Sequence, residues 1–102
     1  MDISKFINLG PDAPIETQAN GAKQSAINMD FTLMDGPAMF ALASVLAYGA
    51  KKYERDNWRK ISTNDHLNHA LTHIFAFLSN DKQDDHLEHA FCRLMMAVAS
   101  QK

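Results

Sequence analysis

One cysteine, Cys92, is all the thiol chemistry the chain has. No internal disulfide is possible, which suits a reducing cytosol, and Cys92 reads as a core residue. No run approaches the ~18–20 apolar residues of a membrane span. The opening Met1-Asp2-Ile3-Ser4-Lys5 lacks the basic-then-apolar order of a signal peptide. A cytoplasmic protein with no membrane partner is therefore expected. Positive charge is not in excess. Ten Lys and Arg face twelve Asp and Glu, a net −2, so no footprint for duplex nucleic acid is expected. There is no Gly-rich phosphate loop, no His-Glu-x-x-His, no cysteine pair for structural zinc and no serine-nucleophile motif. Internal repeats and low-complexity segments are absent too.

What is present is a chain of 102 residues, 46% apolar, enough for one domain with one core. Residues 1–35 show little periodicity and are expected to form an extended arm that packs on a neighbouring subunit or covers a site. Gly10-Pro11-Asp12-Ala13-Pro14 reads as a turn. Met29 to Met34 alternates weakly, as a short strand or an anchoring segment would. Residues 36–102 are expected to form a helical domain. Its first helix, about 36–52, has Asp35 as cap and Pro37 in the first turn, where a missing N–H costs nothing. Met39, Leu42, Ala43, Leu46 and Ala50 give it one apolar face. The second helix, about 63–79, begins at a capping box, Ser62-x-x-Asp65, with Leu67, Ala70, Leu71, Ile74, Phe75 and Leu78 as its core face. The turn Asn80-Asp81-Lys82-Gln83 is short enough to force an antiparallel partner. That partner, about 84–100, has Leu87, Ala90, Phe91, Leu94, Met95 and Val98 on one face and Asp85, His89, Cys92 and Met96 on another. A helix apolar on two sides in so small a chain predicts burial in a homo-oligomer, a dimer or higher. The expected fold is all-α: three main helices with an extended N-terminal arm, assembled as an oligomeric bundle.

All five histidines, His66, His69, His73, His86 and His89, fall within 24 residues, interleaved with Asp65, Asp81, Asp84, Asp85 and Glu88. His69 and His73 are one helical turn apart, as are Asp85 and His89. Were these two stripes to face each other, three imidazoles and a carboxylate would converge as ligands for a divalent metal. Mixed imidazole and carboxylate suits Mn, Fe, Co, Ni or Zn, and carboxylates alone favour Mg. The bland alternative is that the histidines cap helices and bond the turn carboxylates. Lys51, Lys52, Arg55 and Arg59 lie beside Tyr53 and the only tryptophan, Trp58. Cations among aromatics suit a phosphate and a base, although Trp58 by itself also suits a core plug.

Four blocks carry a resemblance: Leu46-Ala47-Tyr48-Gly49-Ala50-Lys51-Lys52-Tyr53, then Asn57-Trp58-Arg59-Lys60, then His66-Leu67-Asn68-His69-Ala70-Leu71-Thr72-His73, then Asp84-Asp85-His86-Leu87-Glu88-His89-Ala90. With Glu16-Thr17, Asn20-Gly21 and Lys23-Gln24-Ser25 upstream, they resemble a phage and prophage family described as dATP/dGTP diphosphohydrolase-like, over about residues 15–98. The resemblance implies an all-α enzyme of phage origin acting in a bacterial cytoplasm. Such an enzyme uses a divalent metal (Mg or Mn, with Co or Zn as alternatives) to split purine dNTPs into monophosphate and pyrophosphate. With the facing stripes, the residues expected to serve such an enzyme are Asp85, Glu88 and His73 as catalytic groups and His69, His73, Asp85 and His89 as metal ligands. Lys51, Lys52, Tyr53, Arg55, Trp58 and Arg59 would hold the nucleotide. Thr72-His73 and Lys82-Gln83-Asp84-Asp85 depart from the family pattern, and the Glu-Glu-x-x-Glu of MazG-like pyrophosphohydrolases is missing. A non-catalytic oligomer that sequesters a cyclic-nucleotide immune signal of the host is the alternative the same basic-aromatic segment allows.

Overall fold

The computed structural model describes residues 2–101. They fall into two units, one of residues 2–34 and one beginning at Asp35.

In the first unit the Asp2 carboxylate accepts from the Ser4 amide at 2.9 Å and caps a 3-10 turn at Ile3–Lys5. Two strands follow, β1 (Ile15–Thr17) and β2 (Lys23–Ser25), paired antiparallel with Glu16 opposite Gln24. The turn between them needs a positive φ, which Gly21 supplies at 88°. Asn20 Oδ1 closes it by accepting from the Ala22 amide at 3.0 Å. The arm expected to be merely extended thus carries a hairpin. Met29 to Met34 forms no strand. Asp30 instead caps a 3-10 turn at Phe31–Leu33.

The second unit holds three helices: α1 (Gly36–Tyr53), α2 (Thr63–Leu78) and α3 (His86–Ser100). Asp35 caps α1 by accepting from the Ala38 amide at 2.9 Å. Ser62 caps α2 by accepting from the Asp65 amide at 3.1 Å. At its other end α2 closes in a Schellman motif. The Asp81 amide bonds the Ala76 carbonyl, the Asn80 amide bonds that of Phe77, and Asn80 takes φ 64°. The third helix starts at His86, two residues later than its periodicity suggests, because Asp84 and Asp85 lie outside helical geometry in the turn. Between α1 and α2 a 3-10 turn at Asn57–Lys60 packs against α3. Among the described residues no helix is long and apolar enough to cross a membrane.

The α2–α3 pair is closed by small groups. Ala70, Ala90, Ala97 and Cys92 are buried, with His66 fully so. No Leu, Ile, Val, Phe or Met among the described residues reaches that level. Of the faces expected to form the core, Ala70 and Ala90 are buried and most of the large side chains are not. Leu67, Leu71, Phe75 and Leu78 of α2, and Leu87, Phe91, Leu94 and Val98 of α3, remain 36–66% exposed. Alanines let the two backbones approach, and each helix then turns its small-residue face inward. At ~100° per residue this rotates the larger side chains off the contact.

Candidate active site

One cleft of about 940 Å³ is walled by the C-terminal half of α1, the connector to α2, and facing positions of α2 and α3. Its size lies at the upper end of the ~300–1,000 Å³ of small-molecule sites. Lys52, Arg55, Arg59 and Arg93 line it, as do Tyr48, Tyr53 and Trp58. The Arg59 guanidinium sits 4.3 Å from the centre of the Trp58 ring, and its Nε donates to Asp56 at 3.1 Å. Lys52 and Arg55 have no carboxylate in ion-pair range among the described residues. The connector is held in a strained shape: Glu54 has φ 84° and ψ 152°, a region that glycine alone occupies freely.

His66 fastens this wall to the helices. Its Nε2–H donates to the Trp58 carbonyl at 3.0 Å, and its Nδ1 accepts from Arg93 Nη1 at 3.2 Å. Arg93 can only donate, so the tautomer is fixed. Buried, His66 belongs to the scaffold, where it sets the positions of both Trp58 and Arg93.

The opposite wall carries a histidine chain. Asp81 Oδ2 accepts from His86 Nε2–H at 2.6 Å, and His86 Nδ1 lies 2.9 Å from His73 Nδ1. The Asp81 carboxylate holds the proton of His86 on Nε2, which leaves His86 Nδ1 to accept from His73 Nδ1–H. The lone pair of His73 is thereby assigned to its Nε2, on a side chain that lines the cleft. The His89 ring stacks on His73 at 5.1 Å and 19°, and His89 Nε2 is 3.3 Å from Asp84 Oδ1. Burial pushes His73 below the usual histidine value, and the neighbouring His89 and His86 add to this. Asp81 is held below the usual carboxylate range, first by its His86 hydrogen bond and then by the Gln83 amide. Burial pushes the Cys92 thiol up, so this cleft-lining residue is no ready nucleophile.

The cleft brings together His69, His73 and His89 and, of the expected nucleotide contacts, Lys52, Tyr53, Arg55, Trp58 and Arg59. Lys51 does not line it, and neither do Asp85 and Glu88. Asp84 does, from the turn that precedes α3, whereas Asp85 stands at the N-cap of that helix and stays outside. Sequence reasoning passed over Asp81 and His86 as site residues. Their signal was the tight turn itself, which returns His86 over Asp81 within five residues. Arg93, four residues beyond His89, was also missed.

A resident metal needs several donors at one point. Among the described residues no three His, Cys, Asp or Glu side chains are so grouped.

The fold and the cleft define a small helical protein with cations and aromatics on one wall and an oriented histidine on the other. The chain belongs to the dATP/dGTP diphosphohydrolase family, whose N-terminal domain model matches residues 18–102. No curated protein and no solved structure matches it.

Proposed function

We propose that this cleft hydrolyses purine deoxynucleoside triphosphates to the monophosphate and pyrophosphate. Family membership supports the substrate class. The observation that carries the chemistry is the chain from Asp81 through His86 to His73, which ends on a basic nitrogen in a cationic cleft.

Lys52, Arg55, Arg59 and Arg93 neutralise the phosphates, and Trp58 or Tyr53 stacks on the purine. His73 Nε2 takes a proton from water as its oxygen attacks the α-phosphorus. The bond from that phosphorus to the α–β bridging oxygen breaks, and pyrophosphate leaves with the bond pair. His86 and Asp81 orient the imidazolium that forms and stabilise it. A divalent ion, Mg or Mn, would come with the substrate and would supply further neutralisation of phosphate charge. Such an ion asks only one or two carboxylates of the protein, and Asp84, Glu54 and Asp56 are those of the cleft.

A second function, binding of a nucleotide without turnover, needs only the cations and aromatics that line the cleft. Incubating the protein with dGTP, dATP and a panel of cyclic nucleotides separates the two. Mg or Mn is supplied or chelated, and products are read by chromatography. We expect monophosphate and pyrophosphate, lost on chelation and reduced about 10²–10⁴-fold in His73→Ala. Intact nucleotide recovered on the protein whether or not metal is chelated would overturn the hydrolase.

A further inference from the structure

Arg93 differs from the other cations of the cleft. Lys52, Arg55 and Arg59 come from the end of α1 and its connector, and all three are exposed. The Arg59 charge is offset by Asp56 at 3.1 Å. Arg93 stands on α3 and is half-buried. Among the described residues no carboxylate lies in ion-pair range of it. Its Nη1 donates to His66 Nδ1 at 3.2 Å. An imidazole that accepts there while its Nε2–H donates to the Trp58 carbonyl is neutral, so it aims the guanidinium without cancelling the charge. A half-buried charge left uncancelled calls for an anion. The remaining N–H groups of the fork can meet one phosphate bidentately.

Position says which phosphate. Arg93 follows His89 by one turn on the same face of α3, about 6 Å along the helix. The His89 ring stacks on that of His73. On the reaction proposed above, the phosphorus under attack lies at His73 Nε2, and Arg93 is the cation on the helix that carries His89. Lys52, Arg55 and Arg59 belong to the facing wall, within reach of the outer phosphates.

We infer that Arg93 anchors the α-phosphate, the one that stays on the nucleoside, and that His66 is the positioning residue that aims it. A deoxynucleoside monophosphate then keeps its anchor after pyrophosphate has left. The cleft is thereby a binding site for the monophosphate, and the product competes with the triphosphate.

Calorimetry on the full chain tests this with dGMP, dGTP and deoxyguanosine, with metal chelated so that nothing turns over. In wild-type protein dGMP should bind about 10-fold or more tightly than deoxyguanosine and compete with dGTP. Arg93→Lys should weaken dGMP and dGTP by the same factor, about 10-fold or more. Lys52→Ala should weaken dGTP far more than dGMP. His66 takes a finer pair of substitutions. His66→Asn keeps an acceptor at the place of Nδ1 and gives up the bond to Trp58. His66→Gln keeps a donor at the place of Nε2 and gives up the acceptor. Binding of dGMP should largely survive the first change and fall in the second as far as in Arg93→Lys. NMR of isotope-labelled wild-type protein needs no variant to fold. The Arg93 Nε–H resonance should move on addition of dGMP and hold still on addition of deoxyguanosine. A loss in Arg93→Lys confined to dGTP overturns the α-phosphate anchor, as does an unmoved Arg93 resonance. Equal losses in the two His66 variants overturn the positioning role. Should dGTP survive intact once Mg or Mn is restored, the hydrolase falls, and the dGMP measurements still decide on Arg93.

Discussion

His73 is the residue whose state decides the chemistry, and its surroundings fix that state. The fold favours the neutral imidazole, because burial and the His89 and His86 rings oppose its charge. A base must be neutral to act. Turnover should therefore rise with pH and reach its plateau by the usual histidine value of 6.5. Stability follows with the same sign. The unfolded chain binds the proton better, so stability is full above 6.5 and declines as pH falls below it. Thermal melts across that window should show the decline, and His73→Gln should flatten it. Asp81→Asn keeps the shape of the turn and removes the charge that orients His86. We expect kcat to fall, by less than in His73→Ala, with KM unchanged. Glu54 offers a different test. Its backbone sits where a Cβ is strained, at a cost of order 1–3 kcal/mol. Glu54→Gly gives back part of that in unfolded-state entropy, so chemical denaturation should show a net gain of about 1 kcal/mol.

At the scale of elements, the caps set where the helices begin and end, and those ends place the site. Ser62 satisfies the first turn of α2, directly before the buried His66 that anchors the connector. Ser62→Ala should cost about 1 kcal/mol, or roughly 4–8 °C in a chain of this size, measured by calorimetry. The C-terminal cap has a functional consequence as well. Its 6→1 bond, from the Asp81 amide to Ala76, fixes the residue whose carboxylate holds His86. Replacing Asn80 with Val, which resists φ 64°, should loosen the turn. Stability and turnover should then fall together, whereas Asp81→Asn should lower turnover with little change in melting temperature. The late start of α3 belongs here too. It moves Asp84 into the cleft and leaves Asp85 outside it.

For the whole molecule, the buried core is small: among the described residues only His66, Ala70, Ala90, Cys92 and Ala97 are buried. Much of the architecture was legible in the sequence. Asp35, Pro37 and Ser62 announce helix starts through local hydrogen bonding, and a periodicity of three and four marks all three helices. The Lys52-to-Arg59 segment and the histidine cluster were legible as composition, and the family through its blocks around Asn57-Trp58 and His66 to His73. These features are local, so neighbouring residues suffice to specify them. Which flank of each helix turns inward is not local. Alanine and leucine stripes lie about a quarter turn apart on α2, and either satisfies periodicity. Only the close approach of two backbones through Ala70, Ala90 and Ala97 chose the first and left the leucines bare. The histidines likewise look equivalent as sequence. The tertiary structure buried His66 as an anchor, joined His86 to Asp81, and left His73 facing the cleft with one free nitrogen, because each ring takes whatever donor or acceptor packing sets beside it.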